Sequence, residues 1–377
     1  SSNDEDGGKG FIVIENGTIS IECGNDGIQA ATELIILNGD IKVIAGGGTQ
    51  DIVVDADMNE QLKDSMPVIE ETESTKGLKS TYLLVINGGS INIDSHDDAL
   101  HSDNIIEINN GVMILSTDDD GIHGDNEITI NGGYIDITNC NEGIEAKIIT
   151  VNDGEIYINA SDDGFNASDG IAGSMGMMMR PGNETAAIGI GLYINGGYIV
   201  IRSNADSVDS NADFIMTGGM IIAQGPESST NGALDANGEI FIEGGLLIAV
   251  GSSGMAEYPG PNSDQISFLY VYDTVQQPGT TIAVESEDGE IVLVFTPDKV
   301  YQTLVFSSAD LEIGKTYTIY SGGNAEGEST DGLYREGSYK GGTLVAEITL
   351  QSTVTVVGTQ SRMDGPGGGG MRPGKRP

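Results

Sequence analysis

Acidic residues recur along this chain at a fixed interval, each followed by a small residue and then an apolar one. Asp98-Ala99-Leu100, Asp120-Gly121-Ile122, Glu142-Gly143-Ile144, Asp163-Gly164-Phe165 and Asp206-Ser207-Val208 are the clearest cases. The steps from 98 to 120, 120 to 142 and 142 to 163 are 22, 22 and 21 residues. Asp97, Asp119 and Asp162 double the acid one position earlier. Three residues after the acid position stand Gln29, Lys79, His101, His123, Glu145, Asn166, Asp209 and Asp235. If one period is one layer of a stacked structure, these rows become columns with a spacing of about 4.8 Å.

Stacked carboxylates call for a counterion. Two unit charges about 4.8 Å apart repel by roughly 3.5 kcal/mol at an effective dielectric of 20 and by about 0.9 kcal/mol in water. Over four or five layers that rivals a domain's whole stability. Calcium suits the arrangement, because oxygen ligands at about 2.3–2.6 Å let one ion bridge successive layers, whereas magnesium demands tighter geometry. The candidate ligands are Asp97, Asp98, Asp119, Asp120, Glu142, Glu145, Asp162, Asp163, Asp206 and Asp209. The plain structural alternative is a solvated acidic edge. No complete EF-hand loop and no glycine-aspartate nonapeptide tract occurs, so calcium rests on stacking alone. His101 and His123 lie one period apart, but two imidazoles without a third fixed ligand do not make a zinc site. They are read as hydrogen-bonding groups for a sugar.

The 377 residues include 58 Asp plus Glu and only 16 Lys plus Arg, for a net charge of −42. That excludes a grip on nucleic-acid phosphates. Charged residues are 20% and hydrophobic residues 38%, so the acidity reflects missing bases, and enough aliphatic residues remain for a core. Fifty-six Gly, seven Phe and no Trp describe short strands and many turns. No run of eighteen apolar residues occurs and no membrane span is expected; an export signal is not visible at the polar start from Ser1. Cys23 and Cys140 are expected to be buried small residues several layers apart, too far for a bridge.

The elements that must position the acids follow from a second mark. Asn-Gly recurs at Asn16-Gly17, Asn38-Gly39, Asn87-Gly88, Asn131-Gly132 and Asn195-Gly196, with variants at Asn109 and Asn152. Between the marks the pattern has period two, as in Tyr134-Ile135-Asp136-Ile137, giving units of strand, turn, strand, turn. A helix-free unit of about 22 residues buries its apolar face only by stacking, so the expected fold is all-β, a right-handed parallel β-helix over residues 11–265. A propeller would need blades of about 40 residues. The recurrent Asn is expected to adopt the left-handed conformation and to hydrogen-bond along the stack. The three-residue row is expected to face outward. Insertions are expected at about 47–75 and 167–188, a C-terminal β region capping the open end over 266–357, and a Gly/Pro-rich tail over 358–377.

The Asn-Gly turns, the Asp-Asp-Gly-Ile and Asn-Glu-Gly-Ile-Glu-Ala marks, and the ending from Phe306-Ser307-Ser308-Ala309-Asp310-Leu311 to Gly314-Lys315-Thr316-Tyr317 resemble the carbohydrate-binding β-helix proteins of clostridial cell surfaces, from about residue 11 to 357. Those proteins are similar to the pectate lyases of polysaccharide lyase family 9. The resemblance implies calcium-dependent binding of acidic plant polysaccharide, polygalacturonate or pectin, with cellulose as a further ligand, at a bacterial cell surface or outside the cell. A protein this acidic repels a polyuronate unless divalent ions lie between the two sets of carboxylates. Without Trp, the outward Tyr134, Tyr157 and Tyr198 are the candidate sugar platforms. The related lyases use a basic side chain to remove a proton, and Lys79 and Lys147 are the candidates here. Neither matches a lyase position, so binding without cleavage is the leading expectation. A calcium-dependent lyase and a purely adhesive surface protein are the alternatives.

Overall fold

Alternating Ile, Val and Leu do form strands, but three to a unit rather than two. The computed structural model describes residues 10–49, 73–169 and 189–358, and over them the chain is all-β, without a helix. One unit runs through a first strand Leu83–Ile86, a second strand Ser90–Ser95 and a third strand Leu100–Ser102. The third strand is too short for its alternation to be visible in sequence. It carries the row that includes His101.

Each strand pairs in parallel with its counterpart one unit away. Ile105–Ile108 is flanked by Leu83–Ile86 and by the long strand Ile122–Ile130, and Val112–Thr117 by Ser90–Ser95 and Tyr134–Cys140. First and third strands fuse in Ile122–Ile130 and Ile144–Val151, joining two rows into one 15-stranded sheet, while the second strands belong to a 12-stranded sheet. Inward residues of all three strand sets, such as Leu84, Ile91 and Leu100, are buried in one continuous core. Spread over a whole stack, that burial holds together units none of which is stable alone.

The register settles how the longer gaps close. Leu34 pairs with Leu84 and Ile149 with Leu192, so each gap is a single step with an insertion. Most of the two insertions (50–72 and 170–188) and the tail from 359 lie outside the described residues.

The Asn-Gly turns differ from the expectation in their backbone. Among the described residues the positive φ falls on the glycine two positions after the asparagine, as at Gly89, Gly111 and Gly133, and on none of the asparagines. The other half of the expectation holds, because the asparagine supplies an amide that bonds along the stack. Asn109 donates to Asn87, Asn131 to Asn109, Asn152 to Asn131 and Asn195 to Asn152, all at 2.8–2.9 Å. Asn16 and Asn38 are out of line: Ile36 pairs with Ile86, which sets Leu37 rather than Asn38 opposite Asn87. The aligned feature is the left-handed glycine, at Gly39 and Gly89; the turns are equally long, but the asparagine stands directly before that glycine in the earlier ones and two positions before it in the later ones.

Unit-to-unit parallel pairing ends at Leu246–Gly251, which pairs antiparallel with Tyr301–Ser307; that strand in turn pairs antiparallel with Ser267–Gln276, which takes Val354–Val357 in parallel on its other side. Leu269, Val271 and Val305 close the end of the main core. A six-stranded sheet that includes Ile282–Ser286 and Ile291–Phe295 builds a second core with Val200, Ile222 and Ile248 from the outer face of the second strands. The C-terminal region therefore covers a flank of the stack as well as its end.

Candidate functional site

The acids lie in the turn between second and third strands. Its backbone is stitched from unit to unit: the N–H groups of Gly77, Ala99, Gly121, Gly143 and Gly164 donate to the carbonyls of Asp98, Asp120, Glu142, Asp163 and Asp206 at 2.9–3.0 Å. The small residue is there because the next unit is so close. A Cβ on Gly143 would stand 2.2 Å from the Gly164 oxygen and 2.5 Å from Ile158 Cγ2.

The column carboxylates have a structural task. Asp26 Oδ1 accepts the Lys76 N–H at 3.0 Å, Asp98 Oδ1 that of Asp120 at 3.2 Å, Asp163 Oδ1 that of Asp206 at 2.7 Å, and Asp206 Oδ1 that of Gly232 at 2.7 Å. Each clamps the next turn with one oxygen and keeps the other for its surroundings.

The row three residues later aligns in full: Gln29, Lys79, His101, His123, Glu145, Asn166, Asp209 and Asp235 pair in that order. It is more enclosed than an outward-facing row, with His101 and Asn166 buried. The three-residue spacing brings each column acid back onto the row, as in His101 Nδ1 to Asp98 Oδ2 at 2.8 Å and His123 Nδ1 to Asp120 Oδ2 at 3.1 Å.

Charge divides the column into two halves. In the N-terminal half the acids meet cations. Lys76 occupies the column position itself, and its Nζ lies 2.6 Å from both Asp97 Oδ1 and Asp98 Oδ2. Burial opposes the charge on Asp98, but hydrogen bonds from His101 and His123 and the Lys76 ammonium outweigh it and hold the carboxyl well below its usual range. Burial likewise opposes the charge on His123, yet Asp120 and Asp98 raise it to about 11. Asp120 and the exposed Asp119 are raised, by burial first and then by neighbouring acids, with His123 lowering both.

In the C-terminal half, acids face acids. Burial first and neighbouring carboxylates next raise Glu142 to about 7, Asp163 to about 9, Asp206 to about 8 and Asp209 to about 7. Glu145, at the boundary, is raised to about 7 by burial and Asp120, against the pull of His123 3.8 Å away. Among the described residues no Lys or Arg pairs with these five. The exposed Asp162 flanks them. Between Glu145 and Asp209 in the row, Asn166 donates from Nδ2 to Glu142 Oε2 at 2.7 Å, and its buried Oδ1 has no hydrogen-bond partner. Glu142 fixes the amide orientation, since a flipped amide would set oxygen against carboxylate.

The donor set of this second half is all oxygen, which fits calcium. Three groups of described residues bring one ligand atom each within 4.8 Å of the others: Asp98 with His101 and His123, Asp120 with His123 and Glu145, and Asp97 with Asp98 and Asp119. All three lie toward the compensated half. Two use Asp98, whose outer oxygen Lys76 already engages, and two mix nitrogen with oxygen donors, which suits transition metals better than calcium.

The remaining candidates lie apart. Tyr134, Tyr157 and Tyr198 project from the outer face of the second strands with ring centroids 5.7 and 6.2 Å apart, but the rings are tilted by 47° and 64° and form no common plane. Tyr198 donates to Asp331 at 2.8 Å, beneath the C-terminal region. Lys79 Nζ contacts Ser74 at 3.0 Å and Asp26 at 3.7 Å, and Lys147 Nζ contacts Asn126 at 2.9 Å. Both cysteines are free.

Residues 1–121 and 113–289 match a family model described as carbohydrate-binding domain-containing protein. The chain belongs to that family. No curated protein and no solved structure matches it. Membership of a carbohydrate-binding family points to a polysaccharide as partner. No helix among the described residues is long and apolar enough to cross a membrane.

Sequence reasoning missed two residues of the site. Lys76 was hidden because a base interrupts an acid pattern just after a long insertion. Asn166 was aligned in the row but not counted as a ligand; its amide oxygen becomes informative only once burial is known.

Proposed function

We propose that this carbohydrate-binding protein binds acidic plant cell-wall polysaccharide, polygalacturonate or pectin first and cellulose second, through calcium held on the acid column, without cleaving it. The observation that carries the reading is the buried, unpartnered Asn166 Oδ1 among acids that, within the described residues, have no Lys or Arg partner. Glu142, Glu145, Asp163 and Asp209, with Asn166, are the residues that would hold the ion. Bound there, calcium supplies positive charge toward a sugar carboxylate. The chain's own part is to align the oxygens: the Asp163 clamp on the Asp206 N–H fixes one turn, and Asn166 ties its unit to Glu142.

The finer fold follows the same reading, a closed right-handed parallel β-helix related to the pectate lyases of polysaccharide lyase family 9 and working at the bacterial surface or outside the cell. Lys79 and Lys147 give the lyase alternative no support, since each ammonium is engaged by protein acceptors. The test is retention on insoluble pectin, polygalacturonate and cellulose, with calcium and with chelator. Calcium-dependent retention on the acidic polymers is expected, with Asp163→Asn/Asp209→Asn weakening it. Equal retention with chelator, or none at all, overturns the reading.

A further inference from the structure

A polar groove lies where three consecutive second strands, Tyr134–Cys140, Glu155–Ala160 and Tyr198–Ser203, run into the acidic turns. It has a volume of about 280 Å³, and its lining includes Asn139, Asn159, Ser161 and Asn204 with the cations Arg202 and Lys299. Two cations in one groove are unusual in a chain with net charge −42. Lys299 reaches it from the C-terminal region, with Nζ bonded to the Ser203 carbonyl and to Asn204 Oδ1 at 3.3 Å. Both acceptors are neutral. Arg202 donates from Nε to Asp298 at 2.8 Å, and one terminal nitrogen stands 3.9 Å from Asp331.

We propose that this groove is a direct, calcium-independent subsite for one carboxylated sugar residue, with Lys299 and Arg202 taking the carboxylate and the amide and hydroxyl groups taking ring hydroxyls. The volume suits a single sugar ring rather than an oligomer. Among the described residues this half-buried ammonium bonds neutral acceptors and pairs directly with no carboxylate, and a ligand carboxylate supplies that contact. Burial lowers the Lys299 pKa, against the nearby Glu227 and Asp298 charges and with Arg202, as expected for a desolvated cation. The guanidinium keeps N–H groups beyond its Asp298 bond, in the planar fork that suits a carboxylate. Ser161 and Asn204 immediately precede Asp162 and the Ala205-Asp206 pair, so a chain lying along the acid column passes this groove.

The inference rests on the acidic-polysaccharide reading but not on calcium, and the test separates them. Trigalacturonate is titrated into the full chain in EDTA by calorimetry, alongside its carboxyl-reduced counterpart. Wild type is expected to bind the acidic trimer and not the reduced one. Lys299→Gln should weaken binding about tenfold or more, as loss of a charge-assisted bond does, and Lys299→Arg should retain it. Should Lys299→Gln melt early, the reduced trimer and Lys299→Arg still decide. No binding by wild type in EDTA, equal binding of the reduced trimer, or no effect of Lys299→Gln overturns the subsite. Loss of calcium-dependent polymer retention would sink the column reading and leave this result standing.

Discussion

Lys76 Nζ lies 2.6 Å from Asp98 Oδ2, the oxygen that His101 Nδ1 approaches to 2.8 Å and His123 Nδ1 to 3.5 Å. The most deeply buried column acid is thus held by the protein's own cations. Removing one partner of such a pair leaves a buried charge uncompensated, which costs roughly 3 kcal/mol. Lys76→Met is expected to lower the urea midpoint accordingly, and Asp98→Asn in the same chain should recover most of the loss. A single Lys76→Met variant as stable as wild type would show that the histidines alone suffice.

Stability should fall as pH rises. An acid whose folded pKa is raised binds more protons folded than unfolded between the two values, so stability is lost as pH climbs from about 4 to its folded pKa. Glu142, Glu145 and Asp209 place that loss up to about 7, and Asp206 and Asp163 extend it to about 8 and 9. His123, raised from 6.5 to about 11, adds loss in the same direction above neutrality. In EDTA, melting is expected to be higher at pH 5 than at pH 8, and millimolar calcium should narrow the gap by raising the pH 8 value. A higher melting point at pH 8 in chelator contradicts the raised acids.

The amide stack is structural. Asn131 donates to Asn109 and accepts from Asn152, both at 2.8 Å at the surface. Asn131→Leu should cost about 1 kcal/mol, near the lower range for two exposed bonds. Polysaccharide retention should be unchanged, which a parallel pull-down and urea melt can separate.

The acidic turn tolerates Ala99 in one unit, yet Gly143 meets the Gly164 carbonyl and Ile158 too closely for a Cβ. Gly143→Ala is expected to destabilise by about 1–3 kcal/mol through forced backbone movement. An unchanged melting temperature would mean that the next unit shifts freely.

Much of this was legible because a fixed period converts sequence distance into register. The eight-residue row from Gln29 to Asp235 was placed in order from spacing alone, since a one-unit step in a parallel stack admits a single alignment. The same logic failed at Asn38, which takes the second position of a turn of the same length and so stands opposite Gly88 rather than Asn87. Lys299 was invisible for a deeper reason. It comes from a region without the period, so nothing in its position relates it to Arg202. Burial was the other missing quantity: His101 and Asn166 read as outward polar residues until the column acids were seen to fold back over them.

Asn166 offers the sharpest test of the division of the column. Its Oδ1 lacks a partner and its Nδ2 holds Glu142, so Asn166→Leu removes a ligand oxygen while keeping similar volume. A ligand at 100 times its dissociation constant stabilises a native state by about 2.7 kcal/mol, several degrees in melting temperature. Wild type at pH 8 should show such a rise with calcium, and Asn166→Leu should lose most of it. Asp98→Asn should keep the rise, because Lys76 and the histidines already satisfy that half. If the calcium response survives Asn166→Leu and disappears with Asp98→Asn, the ion belongs with the histidines, and the acid-only half is held by protons instead.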